Sequence, residues 1–240
     1  SLLRKKLKVA LIEKEKDVAM HTSGRNTGVL HRPFYLNPET KPIFARCANE
    51  SFYFWRDFAV QHNLPWRKTG TLEVALNQRD LKILEKYATW AIQNSMEREE
   101  IELLNGEDVR KIEPNVKCLG AILSKNDISV DFGAFTRALR FQAENNGVCF
   151  IVSGGVFDIH LENNFILLRI DKDEQKQSIS TKFVINCTGG KSLGLAKKMG
   201  LGSDLASLYV RGEYLEINRK FNSLASRNIY SIPENPNFPF

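Results

Sequence analysis

An acid at the end of an apolar run, and a glycine-punctuated loop soon after it, are the residues of this chain best suited to chemistry. The run Leu7-Lys8-Val9-Ala10-Leu11-Ile12 ends in Glu13, with Lys14 beside it. Nine residues beyond Glu13 comes Thr22-Ser23-Gly24-Arg25-Asn26-Thr27-Gly28-Val29-Leu30-His31. A carboxylate at the carboxyl end of the second strand of a parallel sheet can accept hydrogen bonds from two ribose hydroxyls, which needs an acceptor-only side chain at the sheet edge. The pairing therefore points to part of a dinucleotide site. The usual companion is a Gly-x-Gly-x-x-Gly turn about 20 residues upstream, which sets a pyrophosphate against a helix N-terminus. This sequence has no room for it. Ser1 to Lys6 read as the last turns of the helix that would follow those glycines, so the first strand and the glycine turn are expected to lie outside the sequence. An acid after an apolar strand also occurs in many α/β proteins, and further features have to carry the assignment.

Size and composition set the frame. At 240 residues the chain can bury a substantial core in one or two domains. Its 26% charged and 42% hydrophobic residues are ordinary for a globular protein, and no apolar run approaches the ~20 residues of a transmembrane helix. A net charge of +6 and a pI near 9.1 suit anionic small molecules such as dinucleotides or dicarboxylates. The basic residues are spread along the chain and do not alternate with aromatics, which argues against nucleic acid as the main partner. Cys47, Cys118, Cys149 and Cys187 are far apart and form no Cys-x-x-Cys, so they are expected to be reduced core thiols in an intracellular protein, with no metal site.

The positioning elements follow from periodicity and punctuation. Phe44, Ala48, Phe52, Trp55 and Ala59 have helical spacing and predict an amphipathic helix over 41–63. Residues 71–76 read as a strand. Asn77 then caps a helix with Asp80 at its third position and a stripe of Leu81, Leu84, Ala88, Ala91 or Ile92, and Ser95. Asn105 caps a short helix that Pro114 stops. Asp131 opens a helix carrying Phe135, Leu139 and Ala143, closed by Gly147 and followed by an apolar strand over 148–152. The runs 156–161 and 165–170 flank Glu162-Asn163-Asn164 as a hairpin. Residues 181–187 read as a buried parallel strand running into Thr188-Gly189-Gly190. The expectation is an α/β fold of two discontinuous domains: 1–35 and 132–200 form a Rossmann-like dinucleotide-binding domain that is incomplete, and 36–131 and 201–240 form a second domain with an antiparallel sheet.

Small residues after the 181–187 run leave space for a dinucleotide and expose backbone N–H groups to phosphate oxygens. That turn, the acid at position 13, the loop ending at His31, Asp131-Phe132, the segment Val210-Arg211-Gly212-Glu213-Tyr214-Leu215, and Ile229-Tyr230-Ser231-Ile232-Pro233 with Pro236-Asn237-Phe238-Pro239-Phe240 together resemble FAD-dependent oxidoreductases of the D-amino-acid-oxidase-like superfamily. The L-2-hydroxyglutarate dehydrogenase/oxidase family is the nearest member. The resemblance runs nearly the whole length. It implies FAD with Glu13 on its ribose, Ser23, Arg25, Asn26, Thr27 and Gly28 along pyrophosphate and flavin, backbone at Val156 against adenine, and Thr188-Gly189-Gly190 over the diphosphate. Glu13 and the 22–31 turn would thus hold opposite stretches of one flavin nucleotide. For Arg25 and Asn26 the alternative is a solvated turn, but the fixed donor fork of Arg suits phosphate.

The implied reaction is hydride transfer to flavin from a carbon bearing a hydroxyl beside a carboxylate, with a base removing the hydroxyl proton. His31 is the candidate for that base or for orienting the 2-hydroxy acid, against the blander role of a packing residue. Arg211 and Tyr214 could hold the substrate carboxylate, though strand alternation lets at most one point inward. His21, His62 and His160 show no partner in the sequence. Two departures from the family are visible. After His31 the chain reads Arg32-Pro33-Phe34-Tyr35 where members have a small residue, a glycine and an aromatic pair. It also stops at Phe240, where members continue into a histidine-bearing strand and a segment returning to the flavin. The readings in contention are a piece of a FAD-dependent 2-hydroxy-acid oxidoreductase, a glycerol-3-phosphate or amino-acid oxidising relative, and an inert piece acting as an interaction module. The electron acceptor is left open among oxygen, a quinone and a protein, and the expected location is the cytoplasm or the periphery of a membrane.

Overall fold

The computed structural model describes residues 7–234; the readings made for Ser1 to Lys6 and for Pro236 to Phe240 lie outside the described residues. In chain order its elements are β1 (Ala10–Ile12), β2 (Val29–Leu30), α1 (Pro42–Gln61), β3 (Arg67–Lys68), β4 (Thr71–Ala75), α2 (Gln78–Gln93), β5 (Ile101–Asn105), α3 (Gly106–Ile112) and β6 (Gly120–Ser124). There follow β7 (Ile128–Ser129), α4 (Phe132–Asn145), β8 (Cys149–Ile151), β9 (Gly154–Glu162), β10 (Phe165–Lys172), β11 (Gln175–Thr181), α5 (Ser192–Lys198) and β12 (Asn228–Ser231). The chain divides into two compact units, Ser1–Arg25 with Gly133–Leu215, and Asn26–Phe132 with Glu216–Phe240.

In the first unit, β1 and β8 pair in parallel with Leu11 opposite Phe150, and the pairing continues one step further as the Glu13 N–H donates to the Ile151 carbonyl at 2.9 Å. The apolar run from Leu7 is a strand only over Ala10–Ile12. Beside this pair lies the antiparallel sheet β9-β10-β11. Its first hairpin turns at Asn163, whose φ of 51° is one that Asn tolerates. The third strand, Gln-Lys-Gln-Ser-Ile-Ser-Thr, is too polar to announce itself and exists because it pairs with β10 from Ile166↔Thr181 to Lys172↔Gln175.

The expected buried strand over 181–187 does not form. Beyond Thr181 the backbone has no strand partner among the described residues, and Phe183 and Ile185 are 81% and 71% exposed. A parallel strand is buried by neighbours on its edges and helices on its faces, and apolar composition cannot substitute for them. The same holds for 210–215, which is exposed and carries no strand. The cysteines are free, but Cys47, Cys149 and Cys187 are exposed and not core residues, because each lies on the outward side of its helix, edge strand or open segment.

In the second unit, the sheet β12-β4-β6-β5 joins a parallel β12–β4 pair to antiparallel neighbours. Strands β4 and β6 are buried along their full length. One face packs Ala75 and Ile122 against Leu84, Tyr87 and Ala91 of α2, and the other packs Leu72, Val74, Ala121 and Leu123 against Val109 of α3. Both helices start where their caps lie: Asn77 Oδ1 accepts from Asp80 N at 3.0 Å, and Asn105 Oδ1 from Glu107 N and Asp108 N. On α2 the stripe runs through Tyr87 and Ala91, leaving Ile92 outside; on α1 it runs through Ala45, Phe58 and Ala59, leaving Phe44 outside. A second small sheet, β2-β7-β3, lies in this unit as well. Strand β12 is tied at its start by the buried Glu113 carboxylate, which accepts from Ser226 N at 3.1 Å and from Arg227 Nη1 at 3.0 Å.

Candidate functional site

The register of the small sheet builds the site of the second unit. Leu30 pairs with Ile128 in an antiparallel ladder, so the next residue along β2, His31, comes level with the residue before β7, Asp127. The loop reaches this register through Gly28, whose φ is +68° and whose carbonyl accepts from Val130 N at 2.7 Å. A Cβ there would stand 2.8 Å from the Val130 carbonyl oxygen, so a side chain would push the loop off β7.

The Nδ1 of His31 lies 2.7 Å from Asp127 Oδ2. Asp127 is 0% exposed and takes three more donors: Arg32 N at 3.0 Å, Thr71 Oγ1 at 2.8 Å and Ser124 Oγ at 2.5 Å. With Arg32 N and Ser124 Oγ on Oδ1 and Thr71 Oγ1 on Oδ2, both Asp127 oxygens serve as acceptors, and the Nδ1–H tautomer of His31 supplies the remaining donor to Oδ2. In neutral His31 the lone pair then sits on Nε2. The ring is held edge-on by Tyr35 and Tyr230, with centroids at 5.7 and 5.4 Å. The residues flanking the pair share one clamp. Arg32 ion-pairs with Glu100 at 3.2 Å over the Phe52 ring, and Asn126 Nδ2 donates to the same carboxylate at 2.7 Å.

A second buried carboxyl completes the cluster. Glu73 is 8% exposed; burial, and then the charge of Asp127, push its pKa up to about 8. Burial likewise raises the Tyr35 phenol to about 12, with Asp127, Glu73 and Tyr230 adding to it, and the Tyr87 phenol to about 12, with Glu73 and Tyr35 adding.

Sequence reasoning singled out His31 and did not single out the residues the structure gathers around it, Asp127, Glu73, Tyr35 and Tyr230. Asp127 stands in Lys125-Asn126-Asp127, which reads as a solvated turn. Glu73 gave a usable signal, an acid at an inward position of the apolar strand Thr-Leu-Glu-Val-Ala.

In the first unit, Glu13 is half-buried at the carboxyl end of β1, with Oε1 accepting from Glu15 N at 3.0 Å. Lys14 Nζ contacts Glu15 and lies 2.8 Å from His21 Nε2, which is 2.7 Å from Glu15 Oε1. His21 therefore has partners that its sequence context did not show. Hydrogen bonds from Lys14 and then His21 hold the exposed Glu15 carboxyl down at about 2. Ser23 and Arg25 lie in and just after a short turn in which Gly24 packs against the Ala19 backbone; a Cβ would meet the Ala19 oxygen at 2.1 Å. Asn26 and Thr27 precede Gly28 in the second unit, and Asn26 Oδ1 accepts from Gly28 N at 2.9 Å. Val156 lies in β9 opposite Ile170. Thr188 donates through Oγ1 to Asn186 at 2.8 Å, and Gly190 accepts from the Tyr209 hydroxyl at 2.6 Å. Arg211 is 85% exposed and paired with Glu213 at 2.9 Å, and Tyr214 is exposed.

The residues fit the ribose and backbone-facing parts of a dinucleotide. Glu13 offers a carboxylate at the end of a parallel strand, and Gly189, with φ +59° and nothing within 4 Å of a Cβ position, leaves open space over its backbone. The sequence contains no Gly-x-Gly-x-x-Gly turn to hold the pyrophosphate.

Known proteins match the chain along most of its length. The FAD dependent oxidoreductase family (DAO) matches residues 1–239. The chain is 32% identical to the mitochondrial L-2-hydroxyglutarate dehydrogenase of Caenorhabditis briggsae over 98% of its own length and 53% of that protein's. It is 28% identical to the L-2-hydroxyglutarate dehydrogenase of Escherichia coli K12, covering 97% of this chain and 53% of the relative. The chain thus spans about half the length of the curated relatives it matches. Among solved structures, the FAD-bound, dithionite-reduced L-alpha-glycerophosphate oxidase of Mycoplasma pneumoniae superposes with a TM-score of 0.74 at 25% identity, covering 83% of this chain and 52% of that one.

Proposed function

This chain belongs to the FAD-dependent oxidoreductase family, and from that premise we propose that it is part of an enzyme oxidising a 2-hydroxy acid such as L-2-hydroxyglutarate, with His31 as the base. The observation that carries the reading is the buried Asp127 at 2.7 Å from His31 Nδ1, which supports the tautomer in which Nε2 accepts a proton. The names of the relatives support the substrate class.

In this reading Glu13 takes the ribose hydroxyls, and Lys14, Ser23, Arg25, Asn26, Thr27, Gly28, Val156, Thr188, Gly189 and Gly190 contribute to FAD binding. FAD, when bound, supplies the hydride acceptor for the carbinol carbon. His31 Nε2 takes the hydroxyl proton as the carbonyl forms, and the Asp127 carboxylate stabilises the imidazolium that results. Tyr35 and Tyr230 pack against the ring and orient it. Arg211 is the proposed cation for a substrate carboxylate, reached by leaving its exposed partner Glu213 at little cost. A cytoplasmic or membrane-peripheral location is proposed on the four free cysteines. No helix among the described residues is long and apolar enough to cross a membrane.

The test is to add FAD to the purified chain, record its flavin absorbance, and then add 2-hydroxyglutarate, glycerol 3-phosphate and amino acids in parallel. Bleaching by 2-hydroxyglutarate supports the reading. Bleaching only by glycerol 3-phosphate or an amino acid moves the chain to the corresponding relatives. A colourless, FAD-indifferent protein favours an inert interaction module.

A further inference from the structure

Glu73 takes no part in the reaction as described, yet it is a buried acid on the same sheet face as the histidine site. Side chains two apart on a strand share a face, about 7 Å from one another along it. Thr71 donates its hydroxyl to Asp127, the carboxylate that holds His31, and Glu73 is the next residue on that face. The register agrees from the other side. Glu73 is level with Tyr230 in the parallel β12–β4 pair, and the Tyr230 ring touches His31. Among the described residues the titratable groups around Glu73 are Tyr230, level with it on β12, Tyr87 on α2, Tyr35 after Arg32-Pro33-Phe34, and Asp127, which in turn holds His31; β6 presents the apolar Ile122. None of these is a lysine or arginine. A buried carboxyl among phenols and beside a charged carboxylate holds its proton, because ionising it places two negative charges in a poorly solvated space.

We propose that Glu73 is a positioning residue for His31: by staying neutral it keeps a second negative charge away from Asp127, so the imidazole remains unprotonated on Nε2 and able to act as a base. If both carboxyls were charged, their summed field would favour the imidazolium, and a histidine already carrying the extra proton cannot take one from a hydroxyl. The inference rests on the reading of His31 as the base, and it adds the group that preserves its basic form. Direct experiment can separate the two.

The experiment uses the full chain labelled in its histidine rings, with the His31 signal identified by its loss in H31N. The signal is followed by NMR from neutral to alkaline pH in wild type and in E73Q, which keeps a neutral group of the same size. In wild type a step centred near pH 8 is expected, as Glu73 ionises and His31 senses the charge; in E73Q that step disappears. Its persistence in E73Q, or its absence in wild type, overturns the proposal. Should E73Q fail to fold, carbon-labelled glutamate in wild type answers the question: one carboxyl titrating near pH 8, apart from the rest, supports the proposal, and none doing so overturns it. Turnover plays no part in these readouts. Full activity in H31N would therefore overturn the base assignment while leaving the titration result standing.

Discussion

Two of the histidine–carboxylate pairs among the described residues are equal in length and lie in opposite surroundings. His31 lies 2.7 Å from Asp127 in the second unit, and His21 lies 2.7 Å from Glu15 in the first. Asp127 is fully buried and receives four donors, with the neighbours of both partners clamped on Glu100. Glu15 is only partly buried, shares His21 with the exposed Lys14, and exchanges its partners with water and salt at little cost. Contact distance alone does not distinguish them. The number of donors that would be stranded by losing the carboxylate does, and it makes one pair a fixed part of the fold and the other a surface contact.

The sharpest way to break this contrast is Asp127→Ala. It strands Thr71, Ser124 and the Arg32 N–H and should cost about 3–5 kcal/mol of unfolding free energy by urea titration, as expected when one partner of a buried pair is removed. Next is His31→Asn, which leaves the fold near wild type in the same titration but lowers turnover in the FAD-reconstituted protein by roughly 100- to 10,000-fold, the usual contribution of a general base. Glu73→Gln tests the surroundings. Because the folded pKa of Glu73 is raised from 4.5 to about 8, its proton stabilises the fold fully below 4.5, and that contribution is lost as pH rises through 8. The wild-type stability curve should therefore fall across this window relative to Glu73→Gln, as read by melting at a series of pH values. The smallest effect belongs to the surface pair. With its pKa lowered to about 2, Glu15 contributes only above its unfolded value of 4.5, and loses that contribution as pH falls toward 2. His21→Ala should leave the urea midpoint at neutral pH unmoved, and salt should flatten any acid-side difference. A large neutral-pH loss in His21→Ala would erase the distinction between the two pairs.

What the sequence made legible was local. Asn77 and Asn105 mark helix starts because a cap is satisfied within three residues, and Asn163 marks its hairpin for a similarly local reason. The loop ending at His31 could be picked out as chemistry-bearing from its residue types alone. Its partner could not: Asp127 is 96 residues away, and its burial arises only when β2 and β7 pair. The converse error came from 181–187, where apolar composition suggested a buried strand and pairing did not supply one, while the polar β11 formed because β10 offers it an edge. Tertiary pairing decided each of these cases against local preference.

The central claim is that Asp127 holds His31 with its proton on Nδ1 and its lone pair on Nε2. Nitrogen NMR of the labelled imidazole in wild-type chain, at a pH where the ring is neutral, reads this directly. The expected spectrum has His31 Nδ1 protonated and Nε2 bare, and the pattern is lost in Asp127→Ala. A His31 ring carrying its proton on Nε2, or exchanging freely between the two tautomers as a surface histidine does, would contradict the claim.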